Sequence, residues 1–335
     1  MSPPIAYQAT RLSWPTSWAE IFGRPAPLLV EIGFGGGHFL VALAQKRPDA
    51  NVIGVEISLP SLRSGRKKIE QAGLDNVRLL QADARLLLQA LCEPSTISGI
   101  YINFPDPWPK ARHQHRRLIS EPFLHLAATR LAPDAHLDIA TDHAGYAAAI
   151  AQCLAQTPYF DSRRDAPFTT RDNERPRTKY ELIALAEGRT CHYFKWQRND
   201  TPAPNIFPVP EEIPMPHVVL RSPLSLVEIG HRLPPDPVSA GGTHVSYLEA
   251  YHSLNEEELF IEAYVKEDPL AQRVGLVIRQ REPGDFVISL HEVGFPRPTA
   301  GIHLAIANLA EWIINLHSAS QLIHTNLRPA TKRKT

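Results

Sequence analysis

Short apolar runs alternate with amphipathic stretches over the first 140 residues of the chain. The apolar runs predict five buried strands, over residues 28–32, 51–56, 77–81, 97–103 and 135–140. The amphipathic stretches predict four helices, over residues 38–46, 61–72, 84–91 and 121–130. Strict alternation of strand and helix is typical of a parallel sheet covered on both faces. The pattern therefore predicts an α/β domain with a mostly parallel, doubly wound sheet.

The pattern changes after a proline-rich segment. Six prolines interrupt residues 201–217, which predicts a linker or an extended wrapping segment. Beyond it, alternating positions predict strands and one helix with an apolar face, over residues 245–251, 259–265, 274–281, 286–293 and 300–318. An antiparallel sheet with one helix is an α+β arrangement, and it is smaller than the domain before it.

These changes divide the chain into three predicted regions. Residues 1–200 form the α/β domain, residues 201–217 form a proline-rich linker, and residues 218–335 form an α+β C-terminal extension. The tail from Arg328 to Lys334 is basic and is predicted to be disordered. The extension carries no motif that points to a role. Three roles are left open for it: stronger binding of a substrate, self-association, and binding of another partner. No homo-oligomer is predicted.

Composition and charge narrow the class of protein. The chain has 335 residues, of which 43% are hydrophobic and 21% charged, and its net charge is zero. These values are ordinary for a soluble globular protein, so any binding of nucleic acid must come from local basic patches. Three widely spaced cysteines without a C-x-x-C pair favour reduced thiols over disulfides or a zinc site.

Neither a membrane segment nor a metal site is predicted. The N-terminus lacks a signal-peptide pattern, and no uninterrupted apolar run reaches the ~18 residues that a membrane span needs. His113 and His115 have no Cys or carboxylate partner at metal-site spacing. We therefore predict a cytoplasmic protein without membrane or metal.

Glycines and acidic residues follow the first three predicted strands. Gly33, Gly35 and Gly37 let a backbone pass close to a ligand, but they fit NAD, FAD and S-adenosylmethionine binders, or a turn without ligand. Glu56 can accept hydrogen bonds from both ribose hydroxyls of a nucleotide, and an NAD enzyme would explain an acidic residue at this position. S-adenosylmethionine carries an ammonium, a sulfonium and an adenine amino group, which also explains the acceptors Glu31 and Asp83.

The segment 104–110 (Phe-Pro-Asp-Pro-Trp-Pro-Lys) follows the fourth predicted strand. Prolines on both sides restrict the backbone of Asp106, and Trp108 adds an aromatic face. Trp108 either stacks on a base or anchors the loop. Four basic residues in and after the segment are candidates for phosphate contacts: Lys110, Arg112, Arg116 and Arg117. A fixed carboxylate beside these groups favours work on a nucleic-acid base.

Five motifs occur in a fixed order along residues 27–198. They are E-I-G-F-G-x-G from Glu31, G-V-E ending at Glu56, the segment 104–110 with the basic run after it, T-D ending at Asp142, and T-K-Y-E from Thr178. Together they resemble the bacterial tRNA (guanine-N7-)-methyltransferase family. The resemblance implies a Rossmann-like class I methyltransferase domain that uses S-adenosylmethionine. It also implies tRNA as the partner, methylated at N7 of a guanosine in the variable loop.

The resemblance also implies roles for individual residues. It places Asp106 at the catalytic centre and in contact with the cofactor, together with Glu31, Glu56 and Asp83. It assigns six residues to the guanosine-bearing substrate: Lys110, Asp142, Thr178, Lys179, Tyr180 and Glu181. Guanine N7 has a free lone pair, so the reaction needs placement and charge stabilisation and no general base. We expect Asp106 to accept from the N1–H and N2–H edge of the base.

Two other functions stay open. Asn103-Phe104-Pro105 is similar to the Asn-Pro-Pro-aromatic loop of exocyclic-amine methyltransferases, although the order differs and Asp106 has no equivalent there. An RNA-binding relative without turnover is the other alternative. The presence of Glu31, Glu56, Asp83 and Asp106 together argues against it, because an inactive site does not need all four.

Overall fold

In the computed structural model, the five strands predicted in the first part of the chain pair with three others into one eight-stranded sheet. The structure describes residues 4–254 and 257–328, so the basic tail beyond Arg328 lies outside the described residues. The strands are β1 (Ala6–Gln8), β2 (Leu28–Ile32), β3 (Asn51–Glu56), β4 (Val77–Gln81), β5 (Ile97–Asn103), β6 (Leu131–Thr141), β7 (Phe160–Ser162) and β8 (His192–Arg198). Their order is β1-β4-β3-β2-β5-β6-β8-β7. Strands β1 to β6 pair in parallel, and β8 pairs antiparallel with β6 and β7.

Helices cover both faces of this sheet. They are α1 (Trp18–Phe22), α2 (His38–Lys46), α3 (Leu59–Ala72), α4 (Ala84–Leu86), α5 (Glu121–Arg130), α6 (Ala144–Gln156) and α7 (Lys179–Ala186). Helices α2 and α3 pack together in one apolar cluster, whereas α5 packs against α6 and the turn after α4. Every residue of β2 is buried, as expected for a strand covered on both sides. The predicted mostly parallel α/β fold is confirmed.

In the unit that carries the eight-stranded sheet, the predicted bounds of three elements differ from the structure. Helix α3 begins at Leu59, not at residue 61, because Ser58 caps it and Pro60 fits its first turn. Only Ala84–Leu86 of the helix predicted over 84–91 is α-helical, and Leu87–Leu91 forms a π-helical turn. Strand β6 begins at Leu131, four residues before the predicted start.

The second part of the chain forms an antiparallel sheet of seven strands with two helices. Its elements are β9 (His217–Arg221), α8 (Leu226–Gly230), β10 (Val238–Ala240), β11 (Thr243–His252), β12 (Glu258–Glu267), β13 (Leu270–Glu282), β14 (Asp285–Leu290), α9 (Ala300–Asn315) and β15 (Gln321–Thr325). The sheet order is β10-β11-β12-β13-β14-β9-β15. Apolar residues of β12 alternate into a core that they share with α9. The predicted α+β architecture is confirmed, although helix α8 and strands β9, β10 and β15 were not predicted.

The proline-rich segment lies against the two compact units of the chain, Met1–Pro208 and Val209–Thr335. In the first unit, the carbonyl of Pro204 contacts His125 Nε2 at 2.9 Å. In the second unit, Ile213 N–H donates to the carbonyl of Pro298 at 3.0 Å. Strand β9 begins at His217, the last residue of the predicted linker. Each half of the segment therefore packs on its own unit, and the predicted division into two domains and a linker stays a prediction.

The longest helix in the described part of the chain is α9, with 16 residues. No helix among the described residues combines the length and the apolar character that crossing a bilayer requires.

Candidate active site

A cleft of about 440 Å³ opens at the carboxyl ends of β2 to β5. The strand order reverses at β2, and ligands of open α/β sheets bind at such a switch point. Eight residues singled out in the sequence line this cleft: Gly33, Gly35, Glu56, Asp83, Asp106, Trp108, Arg116 and Tyr180. The structure therefore brings residues from four of the five motifs, together with Asp83, to one place.

Three glycines form the turn between β2 and α2. Gly33, Gly35 and Gly37 have φ values of +69°, +53° and +78°, in the left-handed region that favours glycine. Gly37 is also the N-cap of α2, and a Cβ there would lie 2.9 Å from Gly65 Cα in α3. Turn geometry and close packing of α2 on α3 both require glycine at position 37.

We expect Gly37→Ala to lower the free energy of unfolding by about 1–3 kcal/mol, from a strained φ and a backbone contact that cannot relax. Gly23→Ala is the matched control, because Gly23 has a φ of +72° with nothing within 4 Å of the added Cβ. The control should lose only about 1 kcal/mol. Denaturant unfolding of both variants measures the difference, and equal losses would show that contact with Gly65 is unimportant.

Glu56 connects the glycine turn to the loop after β3. One carboxylate oxygen accepts from Gly35 N–H at 3.0 Å. The other accepts from the N–H groups of Ile57 and Ser58 at 2.9 and 3.0 Å. Three backbone donors therefore fix this carboxylate at the edge of the cleft.

Asp83 caps the short helix α4. Its carboxylate accepts from Leu86 N–H at 2.8 Å, which places the side chain at the end of β4. Asp83 and Glu56 follow neighbouring parallel strands, β4 and β3. The two carboxylates therefore lie on the same side of the cleft.

Glu31 lies in β2 behind the glycine turn, where it is 1% exposed. Its Oε1 accepts from Asn103 Nδ2 at 2.9 Å, and its Oε2 has no hydrogen-bond partner among the described residues. Burial raises the pKa of Glu31 to about 8. A buried acceptor without a donor is unfavourable, so this oxygen is suited to a cationic or hydrogen-bonding ligand group.

Arg175 was not predicted as a site residue. The sequence shows it only as one charge in a basic stretch before Thr178. In the structure its guanidinium donates to Asn103 Oδ1 and thus connects to Glu31 through one amide. Because both contacts span 72 positions in the chain, no local pattern could have indicated them.

The loop that carries Asp106 is held on both sides. Phe104 and Trp108 flank it with φ values of +52° and +41°, which are uncommon for residues with a side chain. Phe104 N–H donates to the carbonyl of Ala140 at 2.8 Å, and Arg117 Nε donates to the carbonyl of Pro107 at 2.9 Å. Asp106 itself is exposed and lines the cleft, so it is available to a ligand.

Trp108 packs between two groups of the basic run. Its ring stacks on His113 with a centroid distance of 5.9 Å, and the Arg116 guanidinium lies 5.0 Å from its centre. Arg112 Nε donates to His113 Nε2 at 2.9 Å, and Lys110 is exposed. These contacts show that Trp108 anchors the loop, and whether it also stacks on RNA stays a prediction.

The predicted substrate segment 178–181 begins helix α7 and only partly faces the cleft. Thr178 and Glu181 form a capping box, with N–H···O distances of 2.9 and 3.3 Å, and Tyr193 O–H donates to the buried Glu181 at 2.8 Å. Tyr180 is 60% exposed and reaches the glycine turn, 3.7 Å from a Cβ built on Gly35. The capping box therefore positions Tyr180.

Five other predicted site residues lie outside the lining of the cleft, among them Arg112, which donates to His113. Lys179 lines a separate depression beside His38, and Asp142 pairs with Arg189. Arg117 lies 4.9 Å over the Tyr146 ring in addition to its bond to the loop, so it has a structural role here. Lys110 projects from the start of the basic run. Within the described ranges, no group of three or more His, Cys, Asp or Glu residues is placed to hold a metal ion.

The chain is similar to known methyltransferases over most of its length. Residues 25–193 match a family model described as "Putative methyltransferase". The tRNA (guanine-N(7)-)-methyltransferase of Thermus thermophilus is 31% identical over 304 residues, which cover 89% of this chain and 92% of that protein. The protein of the same name from Bordetella pertussis is 38% identical and covers 52% of this chain and 68% of its own length. The one from Thermotoga maritima is 42% identical over 44% of this chain and 47% of its own length.

Proposed function

Since the chain belongs to the family of tRNA (guanine-N(7)-)-methyltransferases, we propose that its cleft binds S-adenosylmethionine and places a guanosine of tRNA for methylation at N7. The observation that carries this proposal is the set of acidic side chains around the left-handed glycine turn. Glu56, Asp83 and Asp106 line one cleft, and Glu31 lies directly behind it.

The acceptors present in the cleft suit the polar groups of S-adenosylmethionine. The unpartnered Oε2 of Glu31 suits its ammonium group, and burial makes that pairing strong. Glu56 suits two ribose hydroxyls, and Asp83 suits the adenine amino group. When bound, S-adenosylmethionine supplies an electrophilic methyl group on a sulfonium.

Asp106 is the catalytic residue of the proposal. Its carboxylate accepts from N1–H and N2–H of the guanine and so holds N7 towards the methyl group. N7 has no proton to lose, so no general base is needed, and placement is the main requirement. The base gains positive charge during transfer, and a fixed carboxylate beside it stabilises that charge.

The exposed basic residues after Asp106 bind the tRNA backbone. Lys110, Arg112 and Arg116 are exposed cations that follow Asp106 in the chain, and Arg116 also lines the cleft. Such groups contact phosphates without reading sequence. Tyr180 presents a ring to the cleft and stacks on the nucleoside. Thr178 and Glu181 act through this ring, because their own polar groups are used in the cap of α7. Lys179 and Asp142 contact the substrate outside the cleft.

Nucleoside analysis of tRNA incubated with the protein and labelled S-adenosylmethionine tests the proposal. The expected product is 7-methylguanosine. An N6- or N4-methylated base would instead support an exocyclic-amine methyltransferase. Binding of the cofactor without any product on bulk tRNA would support a non-catalytic relative.

A further inference from the structure

Arg175 joins the segment that leads into α7 to the buried carboxylate of Glu31. The guanidinium lies 5.1 Å from the centre of the Phe39 ring and 5.3 Å from that of Tyr193. It donates to Asn103 Oδ1, and Asn103 Nδ2 donates to Glu31 Oε1 at 2.9 Å. Three side chains from three distant parts of the sequence thus form one chain of hydrogen bonds.

The position of Arg175 determines which way the Asn103 amide points. Arginine can only donate hydrogen bonds, so the amide oxygen must face it and the amide N–H must face Glu31. A donor facing Glu31 favours its ionised form, whereas a reversed amide would favour the protonated acid. Without Arg175, only the protonation state of Glu31 would decide between the two amide orientations.

Two charged residues act on Glu31 in addition to its burial. Burial raises the pKa of Glu31, the hydrogen bond from Asn103 lowers it, Arg175 lowers it further, and Glu56 raises it. The resulting pKa is about 8. Arg175 therefore opposes the effect of burial and makes Glu31 easier to ionise when a cationic group binds.

The segment around Arg175 is itself held in place. Lys46 Nζ donates to the carbonyl of Glu174 at 2.8 Å, and Lys195 pairs with Asp172 at 3.0 Å. Three residues after Arg175, Thr178 begins the helix that carries Tyr180 into the cleft. The same segment thus reaches the cofactor carboxylate at one end and the substrate side of the cleft at the other.

We propose that Arg175 is a positioning residue for cofactor binding, which fixes the Asn103 amide so that Glu31 presents an ionised acceptor to the ammonium group of S-adenosylmethionine. The inference rests on the proposed function. It adds to that function a residue outside the cleft, on the segment that leads to Tyr180. The contact between Arg175 and Asn103 also holds the segment around Arg175 in place. The conformation of this segment and the affinity for the cofactor are therefore coupled.

The test measures the Kd of S-adenosylhomocysteine, which keeps the ammonium group, by calorimetry between pH 6 and 9. Arg175→Met keeps an apolar stem between the Phe39 and Tyr193 rings and removes the charge and the donors. We expect its Kd to exceed the wild-type Kd by about tenfold at pH 7 and by about twofold at pH 9, where Glu31 ionises unaided. The ratio of the two Kd values cancels the titration of the ligand itself.

Three further variants complete the test. Arg175→Lys keeps the charge and should recover most of the affinity. Arg171→Ala is the control, because it removes an exposed charge from the same segment, and it should change the Kd less than twofold. In a Glu31→Gln background, Arg175→Met should have almost no further effect. A Kd ratio that is independent of pH and persists with Glu31→Gln would overturn the proposal. Failure of the wild-type protein to bind the ligand would instead contradict the proposed function itself.

Discussion

Asp106→Ala is expected to lower the rate of tRNA methylation by about a hundred- to a thousandfold, which is the usual effect of removing one preorganised electrostatic group. The carboxylate is exposed in the cleft, and its loop is anchored through Phe104 and Pro107, so the fold should not change. The Kd of S-adenosylhomocysteine should stay within a few-fold of the wild-type value. Steady-state methylation assays and calorimetry on the same preparations measure both quantities.

Two comparisons make the Asp106 result specific. Asp106→Asn keeps the shape of the side chain and removes the charge, so a similar loss would assign the effect to charge rather than to shape. Asp75→Ala is the matched control, because Asp75 is an exposed aspartate at the opposite, amino-terminal end of β4. Near-normal activity of Asp106→Ala would remove this residue from the catalytic centre.

Glu31→Gln is expected to weaken binding of S-adenosylhomocysteine by about thirtyfold or more and yet to stabilise the protein without ligand. The loss of affinity follows from removing one partner of a buried ion pair, which costs about 2–5 kcal/mol. The gain in stability follows from the pKa of about 8 that burial gives Glu31. Each pKa unit above the unfolded value corresponds to about 1.4 kcal/mol.

The stability that Glu31→Gln gains over the wild type should increase with pH. Below about pH 4.5 the Glu31 carboxyl is protonated in both the folded and the unfolded chain, so it adds no penalty. Between pH 4.5 and 8 it ionises only in the unfolded chain, and the free energy of unfolding falls as the pH rises. The advantage of Glu31→Gln should therefore grow from pH 5 to pH 8, to several kcal/mol. Thermal unfolding of both proteins at the two pH values measures it, and an advantage that does not change with pH would exclude this cause.

The parts of the fold that the sequence predicts are those built from local patterns. Strands β2 to β5 are mostly apolar because both faces of the sheet are covered. Strand β8 was missed because His192–Arg198 mixes aromatic and charged residues, which an antiparallel strand near the sheet edge accommodates. Strands β1 and β7 were missed because three residues carry no readable period.

In the candidate site too, residues in local patterns were predictable, and contacts between distant segments were not. The glycine turn, Glu56, Asp83 and Asp106 each follow a strand, so their convergence at one sheet edge was predictable from order alone. The T-x-x-E spacing of Thr178 and Glu181 is also a capping-box signature, and the structure uses it as one. The contacts of Arg175 depend on how distant segments pack, and the sequence gives no sign of them.

The most direct measurement is a crystal structure of the protein with S-adenosylhomocysteine. We expect the ligand across the carboxyl ends of β2 to β5, with its ammonium group on Glu31, its ribose on Glu56 and its adenine near Asp83. Asp106 should face the sulfur across a space that fits a guanine. A ligand bound elsewhere, or an Asp106 side chain directed away from the sulfur, would contradict the account.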